Sequence, residues 1–251
     1  MITVTDLWRH PIKGVGCEQL GSVALQKGKT MPWDRHWALA HADAKVDYAN
    51  PEWVRCLNFA RGARGYKLMA VTSQYDEVTS KITLQHPDLD NITVNPEDAS
   101  DARDLIEWVT KISDPKRSLP SHVFKAGRGM TDSSAQTLSI LTKASLDEFS
   151  KTIGASLDQR RFRGNIWLDG TAEPWEEFGW VGKHIRIGQV ELEIIDRIER
   201  CMATTVNPDT GVSDLQTLNT LKDNWGHRDF GIFGVVTKSG AISVNDMVEV
   251  L

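Results

Sequence analysis

The sequence predicts a β-rich α+β protein with three helices. Between residues 1 and 95, short stretches of alternating apolar and polar residues are separated by clusters of Gly, Asp, Asn and Pro, as in consecutive strands. From residue 100 to 112 the apolar spacing changes to that of a helix. The second half adds more short strands and two further helices. A chain of 251 residues can bury a sizeable core in one or two domains.

The first half is predicted to form a small barrel or sandwich of short strands. The predicted strands cover residues 2–8, 23–25, 37–40, 66–72 and 81–85. The helix that follows has Leu105, Trp108, Val109 and Ile112 on one face. Pro-containing turns bracket it. We therefore predict a first domain over residues 1–95, a helical linker region over 96–120 and a second domain over 121–251.

The second half is predicted to alternate short helices with strands. Ser145 and Glu148 suggest a capping box for a helix that Gly154 stops. A second helix is expected over residues 213–225, with Ser213 and Gln216 as its capping pair. The expected strands cover residues 166–168, 185–187, 190–194, 233–236, 241–244 and 247–251.

Composition and charge exclude several classes of protein. The net charge of −5 argues against a protein held on nucleic acid by a broad basic face. No run approaches the roughly 20 apolar residues of a transmembrane helix, and the N-terminus begins as a strand without the features of a signal peptide. We therefore expect a cytoplasmic protein with neither a nucleic-acid nor a membrane partner. Cys17, Cys56 and Cys201 are too few and too scattered for a disulfide framework.

Cys201 is the candidate reactive residue, because it lies where a predicted strand gives way to a loop and has Arg200 beside it. A cationic neighbour favours the thiolate, although a lone cysteine at a strand end is more often a small buried hydrophobe. Motifs for a protein-only zinc site or a serine nucleophile are absent. Separate basic positions occur at Lys13, at Arg35 and over residues 160–163. If they converge on Cys201, they create a pocket for a polyanion beside a thiolate.

Six segments together resemble the MOSC proteins over nearly the whole chain. They are HPIKG, WDRHW, ILTKASLDEF, RFRGN, WVGKHIRIG and RCMATTVNPDTG. The last run is the most specific of them. This family includes the C-terminal domain of molybdenum cofactor sulfurase and the mitochondrial amidoxime reducing component. The resemblance implies a small N-terminal β-barrel-like domain followed by a MOSC β-barrel core with flanking helices.

The resemblance also implies a molybdenum cofactor, in which a pterin carries both the metal and a phosphate. Cys201 matches the cysteine that is the catalytic protein ligand to molybdenum in enzymatic members. The matching cofactor-binding positions are Lys13, Arg35, Arg163, Asn165 and Arg200. Three positions depart from the family pattern: Gly14 and Glu199 replace frequent serines, and Gly164 replaces a proline.

The implied activity is reduction of N-hydroxylated or other N–O or S–O small molecules. Electrons would come from a separate iron–sulfur, flavin or haem protein. Asp209 and His227 are candidate acid–base residues. Two alternatives stay open: sulfur transfer through a Cys201 persulfide, and a non-catalytic carrier of the pterin cofactor.

Overall fold

A computed structural model describes residues 1–251 and contains fifteen strands and three α-helices. The strands of the first half are β1 Ile2–Arg9, β2 Glu18–Leu20, β3 Ser22–Leu25, β4 Trp37–His41, β5 Thr72–Asp76, β6 Lys81–His86, β7 Leu89–Val94 and β8 Pro120–Lys125. Those of the second half are β9 Leu138–Thr142, β10 Ile166–Asp169, β11 His184–Ile187, β12 Val190–Glu199, β13 Asp229–Lys238, β14 Gly240–Ser243 and β15 Met247–Val250. The helices are α1 Ala99–Thr110, α2 Lys143–Ile153 and α3 Thr217–Trp225.

Seven strands close into a barrel, in the order β10, β9, β13, β12, β11, β15 and β1. Pairing of β1 with β10 completes the ring, and β2 extends the sheet from β1. Only β9 and β10 run parallel within the ring. Alternate residues fill its interior in a cluster of 19 buried side chains that includes Val4, Leu7, Ile140, Ile166 and Ile194. The predicted β-rich α+β class is confirmed.

A second apolar core belongs to the region between β1 and β9. It contains 15 buried residues, among them Trp37, Leu39, Leu84, Leu105 and Val109. Trp37 and Leu39 lie on β4, which pairs with β8, Leu84 lies in the β5–β6–β7 meander, and Leu105 and Val109 lie on α1. The first strand of the chain lies in the barrel of the second half, so the predicted division at residues 96–120 stays a prediction.

The helix boundaries differ from the sequence prediction where polar side chains have other partners. Asp98 caps α1 by accepting from the amides of Ser100 and Asp101. For α2 the cap is Thr142, not Ser145, whose hydroxyl donates to the buried Glu177 carboxylate at 2.9 Å. Helix α2 ends at Gly154 in the left-handed conformation, as predicted.

Helix α3 starts four residues later than predicted, at Thr217. The hydroxyl of Ser213 shares a hydrogen bond with that of Thr205, at 2.8 Å, and is therefore not a helix cap. Gln216 occupies the capping position without a side-chain hydrogen bond. The capping pair predicted from these two residues is therefore wrong.

One predicted strand is wrong, and four further strands were not predicted. Residues 66–70 form a short 3₁₀ helix, and the strand begins only at Thr72. Leu68, Met69 and Ala70 are all buried, a consecutive pattern that a half-buried strand does not produce. The missed strands are β2, β7, β8 and β9. Every residue of β9 is buried, so it lacks alternation. No helix is long and apolar enough to cross a bilayer.

Candidate functional site

One cavity of about 450 Å³ is lined by all six site residues that the sequence predicted. They are Lys13, Arg35, Arg163, Asn165, Arg200 and Cys201. Each lies in a segment flanking a strand: the turn after β1, the loop before β4, the approach to β10 and the exit from β12. Closure of the barrel by β1 and β10 brings positions 13 and 163 together, and β12 delivers positions 200 and 201 to the same place.

Arg163 is held by carbonyl groups rather than by carboxylates. Its backbone is left-handed, with φ of 48°, immediately after a 3₁₀ turn that ends at Phe162. The guanidinium donates to the carbonyl oxygens of Gly16 at 2.9 Å and of Ile12 at 3.5 Å. Burial, together with the nearby Arg35 cation, lowers the pKa of Arg163 to about 10.

Arg200 has the same kind of surroundings and contacts the residue directly before Arg163. Its Nη1 donates to the carbonyl of Phe162 at 2.9 Å, and its Nε donates to that of Phe230 at 2.7 Å. Burial lowers the pKa of Arg200 to about 9. Neither Arg163 nor Arg200 forms a salt bridge with a carboxylate. A carbonyl satisfies an N–H group but does not neutralise its charge, so both cations favour an anion in the cavity.

Lys13 and Arg35, by contrast, already have acidic partners. Lys13 is buried, and its Nζ contacts Asp132 Oδ1 at 2.6 Å and the Met130 carbonyl at 2.7 Å. Arg35 pairs with the buried Asp34 and donates to the carbonyl of Arg163 at 2.9 Å. Arg35 therefore fixes the left-handed backbone that carries Arg163, in addition to adding charge to the cavity wall.

Asn165 ties three barrel strands together beneath the cavity. Its Oδ1 accepts from the backbone amide of Ser139 at 3.1 Å and from the Ser139 hydroxyl at 2.9 Å. Its Nδ2 donates to the carbonyl of Trp8 at 3.2 Å. The side chain thus connects β9, β10 and β1, where the barrel closes. Its contacts position the cavity, and a direct contact with a cofactor stays a prediction.

Cys201 lies exposed at the rim, at the residue before a 3₁₀ helix over Met202–Thr205. Desolvation by the surrounding wall raises the pKa of the thiol, against smaller opposite effects from the Ala203 amide and from Arg200. Arg200 lowers the pKa of the thiol, as expected, but desolvation raises this pKa by more. A cation on the sulfur would stabilise the thiolate. No group of three or more His, Cys, Asp or Glu side chains is arranged to hold a metal.

The other predicted cationic positions and acid–base candidates lie in salt bridges or outside the cavity. Arg160 pairs with Asp158 and Asp209, and Arg161 forms a bidentate pair with Asp214 at 2.8 and 2.9 Å. Of the cluster over residues 160–163, Arg163 is therefore the one without a carboxylate partner. Asp209 is 69% exposed and absent from the lining, as is His227, which accepts from the backbone amide two residues later.

The sequence interpretation missed several lining residues. Arg61 donates to the Cys56 sulfur at 2.9 Å, and both line the cavity. Asp132 lies in the loop between β8 and β9 and forms an ion pair with Lys13. Arg197 also reaches the lining from β12. No local pattern distinguished Arg61 or Arg197 from the other arginines of the chain, because arginine side chains are mostly exposed.

Two family models together match most of the chain. The model described as the MOSC N-terminal beta barrel domain matches residues 1–116, and the model described as the MOSC domain matches residues 127–249. The chain belongs to the MOSC family. The resemblance expected from its motifs is thereby confirmed. Residues 117–126 lie between the two matches and contain β8.

Relatives of this MOSC protein include mitochondrial amidoxime reducing component 2 from Macaca fascicularis and from Rattus norvegicus. The Macaca protein is 37% identical over 123 residues, which is 44% of this chain and 36% of that protein. The rat protein is 26% identical over 284 residues, covering 98% of this chain and 82% of that protein. The chain thus matches only about a third of the Macaca relative. Among solved structures, the YUAD protein from Bacillus subtilis aligns over 100% of this chain and 96% of its own, at 13% identity and a TM-score of 0.46.

Proposed function

We propose that this MOSC protein is a cytoplasmic molybdenum-cofactor reductase of N-hydroxylated or other N–O or S–O small molecules. Cys201 would be the protein ligand to the metal, and a separate protein would supply electrons. One observation carries the proposal: an exposed thiol lies at the rim of a cavity whose wall holds two arginines without acidic partners. The relatives named amidoxime reducing component support the reaction class.

The residues of the cavity fit a phosphate-bearing pterin. Its volume of about 450 Å³ is within the range of cofactor sites. Arg163 and Arg200 offer N–H groups and uncompensated positive charge, which suit a phosphate. Lys13 and Arg35 would add charge at longer range, since each is already paired with an aspartate. The soft sulfur of Cys201 suits a metal held by dithiolene sulfurs.

The protein's own part in the reaction is to bind and to orient. The cofactor, when bound, supplies oxygen-atom transfer coupled to two-electron chemistry. Arg163 and Arg200 would anchor its phosphate through their guanidinium groups. Cys201, whose backbone carbonyl accepts from the Thr204 hydroxyl at 3.1 Å, would hold the metal at the open rim. Substrate would then approach from the exposed side of Cys201, without crossing the barrel.

The first experiment measures molybdenum and pterin in protein from a host that makes the cofactor, together with reduction of benzamidoxime by a reduced dye. Cys201→Ala should abolish turnover and lower the molybdenum content, while the pterin phosphate contacts remain. Cys17→Ala, at a buried cysteine absent from the cavity lining, is the matched control.

The other outcomes would contradict the ligand assignment or indicate a different function. Full activity of Cys201→Ala would refute the ligand assignment. Stoichiometric pterin without turnover of any N–O or S–O substrate would instead indicate a cofactor carrier. Absence of both metal and pterin, with sulfur bound to Cys201 as a persulfide, would indicate sulfur transfer.

A further inference from the structure

A second, larger depression opens directly beside the cofactor cavity. It has a volume of about 690 Å³ and shares Arg61, Ala63 and Cys201 with the cavity. We call it the outer groove, and it is lined by residues 61, 63–67, 112–115 and 117 together with Cys201 and Met202. Cys201 therefore lies at the junction of the two spaces. A molecule in the outer groove has direct access to whatever the Cys201 sulfur holds.

The outer groove is strongly cationic, although the whole chain carries a net charge of −5. Arg61, Arg64, Lys67 and Arg117 line it, whereas Asp114 is the one acidic residue of the lining. Lys67 is paired with Asp88 at 2.7 Å and Arg117 with Asp114 at 3.7 Å.

Two cations of the outer groove have no acidic partner. Neither Arg61 nor Arg64 forms a salt bridge, and the one side-chain partner of Arg61 is the Cys56 sulfur at 2.9 Å. The groove therefore presents positive charge that no carboxylate of the chain neutralises. An opposite charge on a ligand would be attracted to it, and most strongly at low ionic strength.

The groove also has apolar walls between these cations. Ile112, Pro115, Tyr66 and Met202 line it, and the side chains of Tyr66 and Met202 are large hydrophobics left 38% and 42% exposed. Exposed apolar surface inside a concave site favours a ligand with a flat or aliphatic body. The combination suits a small organic molecule that is apolar in its body and negatively charged at one end.

We propose that the outer groove is the substrate site and that it selects N-oxygenated substrates bearing a negatively charged group, such as a carboxylate. The apolar body would pack on Tyr66 and Met202. The anionic end would meet Arg64, which has no acidic partner, and Arg117, whose contact with Asp114 is long, at 3.7 Å, and exposed to solvent. The N–O group would then face Cys201. This selectivity rests on the proposed reductase function, whereas binding of the anion to the groove does not require turnover.

The test compares two substrates that differ in one charge, benzamidoxime and 4-carboxybenzamidoxime. With reduced methyl viologen as electron donor, no protein partner has to dock. The wild type should have the higher kcat/KM for the carboxylate. In the Arg64→Gln/Arg117→Gln double variant the ratio of the two kcat/KM values should fall about fivefold, the scale of exposed ion pairs. Arg103→Gln, an exposed arginine on α1 outside the groove, should keep the wild-type ratio.

A binding measurement separates this inference from the proposed function. Titration calorimetry of 4-carboxybenzamidoxime should give a Kd about fivefold higher in the double variant than in the wild type. That result, without turnover of either substrate, would support the anion site and refute the reductase. Equal binding and equal ratios in all variants would refute the anion site. A defect confined to the KM for a protein electron donor would instead identify the groove as the docking surface of an acidic partner.

Discussion

Arg163 and Arg200 donate only to carbonyl groups, so their charges are not neutralised. We therefore predict that phosphate-type anions stabilise the cofactor-free protein. Burial lowers the pKa of Arg200 to about 9 and that of Arg163 to about 10, so both are still charged at neutral pH. Burying such a cation destabilises the folded protein. This destabilisation is complete at any pH below the folded-state pKa, and it disappears as the pH rises from there toward the unfolded-state pKa. An anion in the cavity would remove part of this destabilisation at neutral pH.

The size of the effect follows from the shift at Arg200. At about 1.4 kcal/mol per pH unit, a shift from 12.5 to about 9 corresponds to about 5 kcal/mol. The side chain is half-buried and lines an open cavity, so we expect a bound anion to return less than half of this destabilisation, about 2 kcal/mol. For a protein of this length, that free energy raises the Tm by roughly 5 °C.

The assay is thermal unfolding followed by tryptophan fluorescence, on protein from a host that cannot make the cofactor. Pyrophosphate is compared with sodium chloride at equal ionic strength. Arg163→Gln and Arg200→Gln should each lose most of the stabilisation by pyrophosphate, whereas Arg103→Gln should retain it. If the wild type shows no stabilisation beyond the salt control, or if both site variants keep it, the interpretation of these arginines as an anion site is wrong.

Two further predictions concern residues next to the cavity. Burial and the nearby Arg163 and Arg35 cations lower the pKa of His10 to about 3, so its contribution to stability is complete above its ordinary value of 6.5 and is lost as pH falls below it. We expect the free energy of unfolding, measured with urea, to fall by about 3 kcal/mol by about pH 4. The His10→Gln variant should show a flatter dependence of this free energy on pH, and equal pH dependences in the two proteins would contradict the prediction. Gly14 has φ of 74°, and an added Cβ would lie 2.7 Å from the backbone of residues 60 and 61. Gly14→Ala should therefore lower the free energy of unfolding by about 2 kcal/mol in the same assay. The control for φ strain alone is Gly28→Ala at an exposed position, where φ is 69° but an added Cβ meets no atom. Equal losses in the two variants would exclude the steric clash.

The backbone at Gly14 also explains one departure from the family pattern. A serine at this position would place its side chain against the carbonyl oxygen of Ala60 and the Cα of Arg61. Glycine lets the turn after β1 approach the segment that carries Arg61. A serine therefore has no space at this position in this structure.

Local sequence patterns were sufficient for the elements that are half exposed. Alternation identified β6 and β11, and helical spacing identified α1, because each has one face in a core and one in solvent. Strand β1 was also predicted, although a register shift between Val4 and Asp6 breaks its alternation and none of its residues is fully exposed. The same patterns failed at β9, which is buried on both faces, and at residues 66–70, where three consecutive side chains enter a core.

The sequence by itself also determined the candidate site residues, through motifs whose residues are close along the chain. Only the tertiary structure decided that positions 13, 35, 163, 165, 200 and 201 line one cavity. That outcome depends on β1 pairing with β10, a contact between residues more than 150 positions apart, which no local pattern encodes.

Charge compensation likewise depended on the fold. In the sequence, Lys13, Arg35, Arg163 and Arg200 are equivalent cations, but folding pairs the first two with aspartates and surrounds the last two with carbonyl groups. The pKa of Cys201 is raised for a related reason, since desolvation depends on the whole wall and outweighs the adjacent arginine. Electrostatic energies depend on the distances between charges and on their burial in the folded protein. The sequence determines only which charged groups are available.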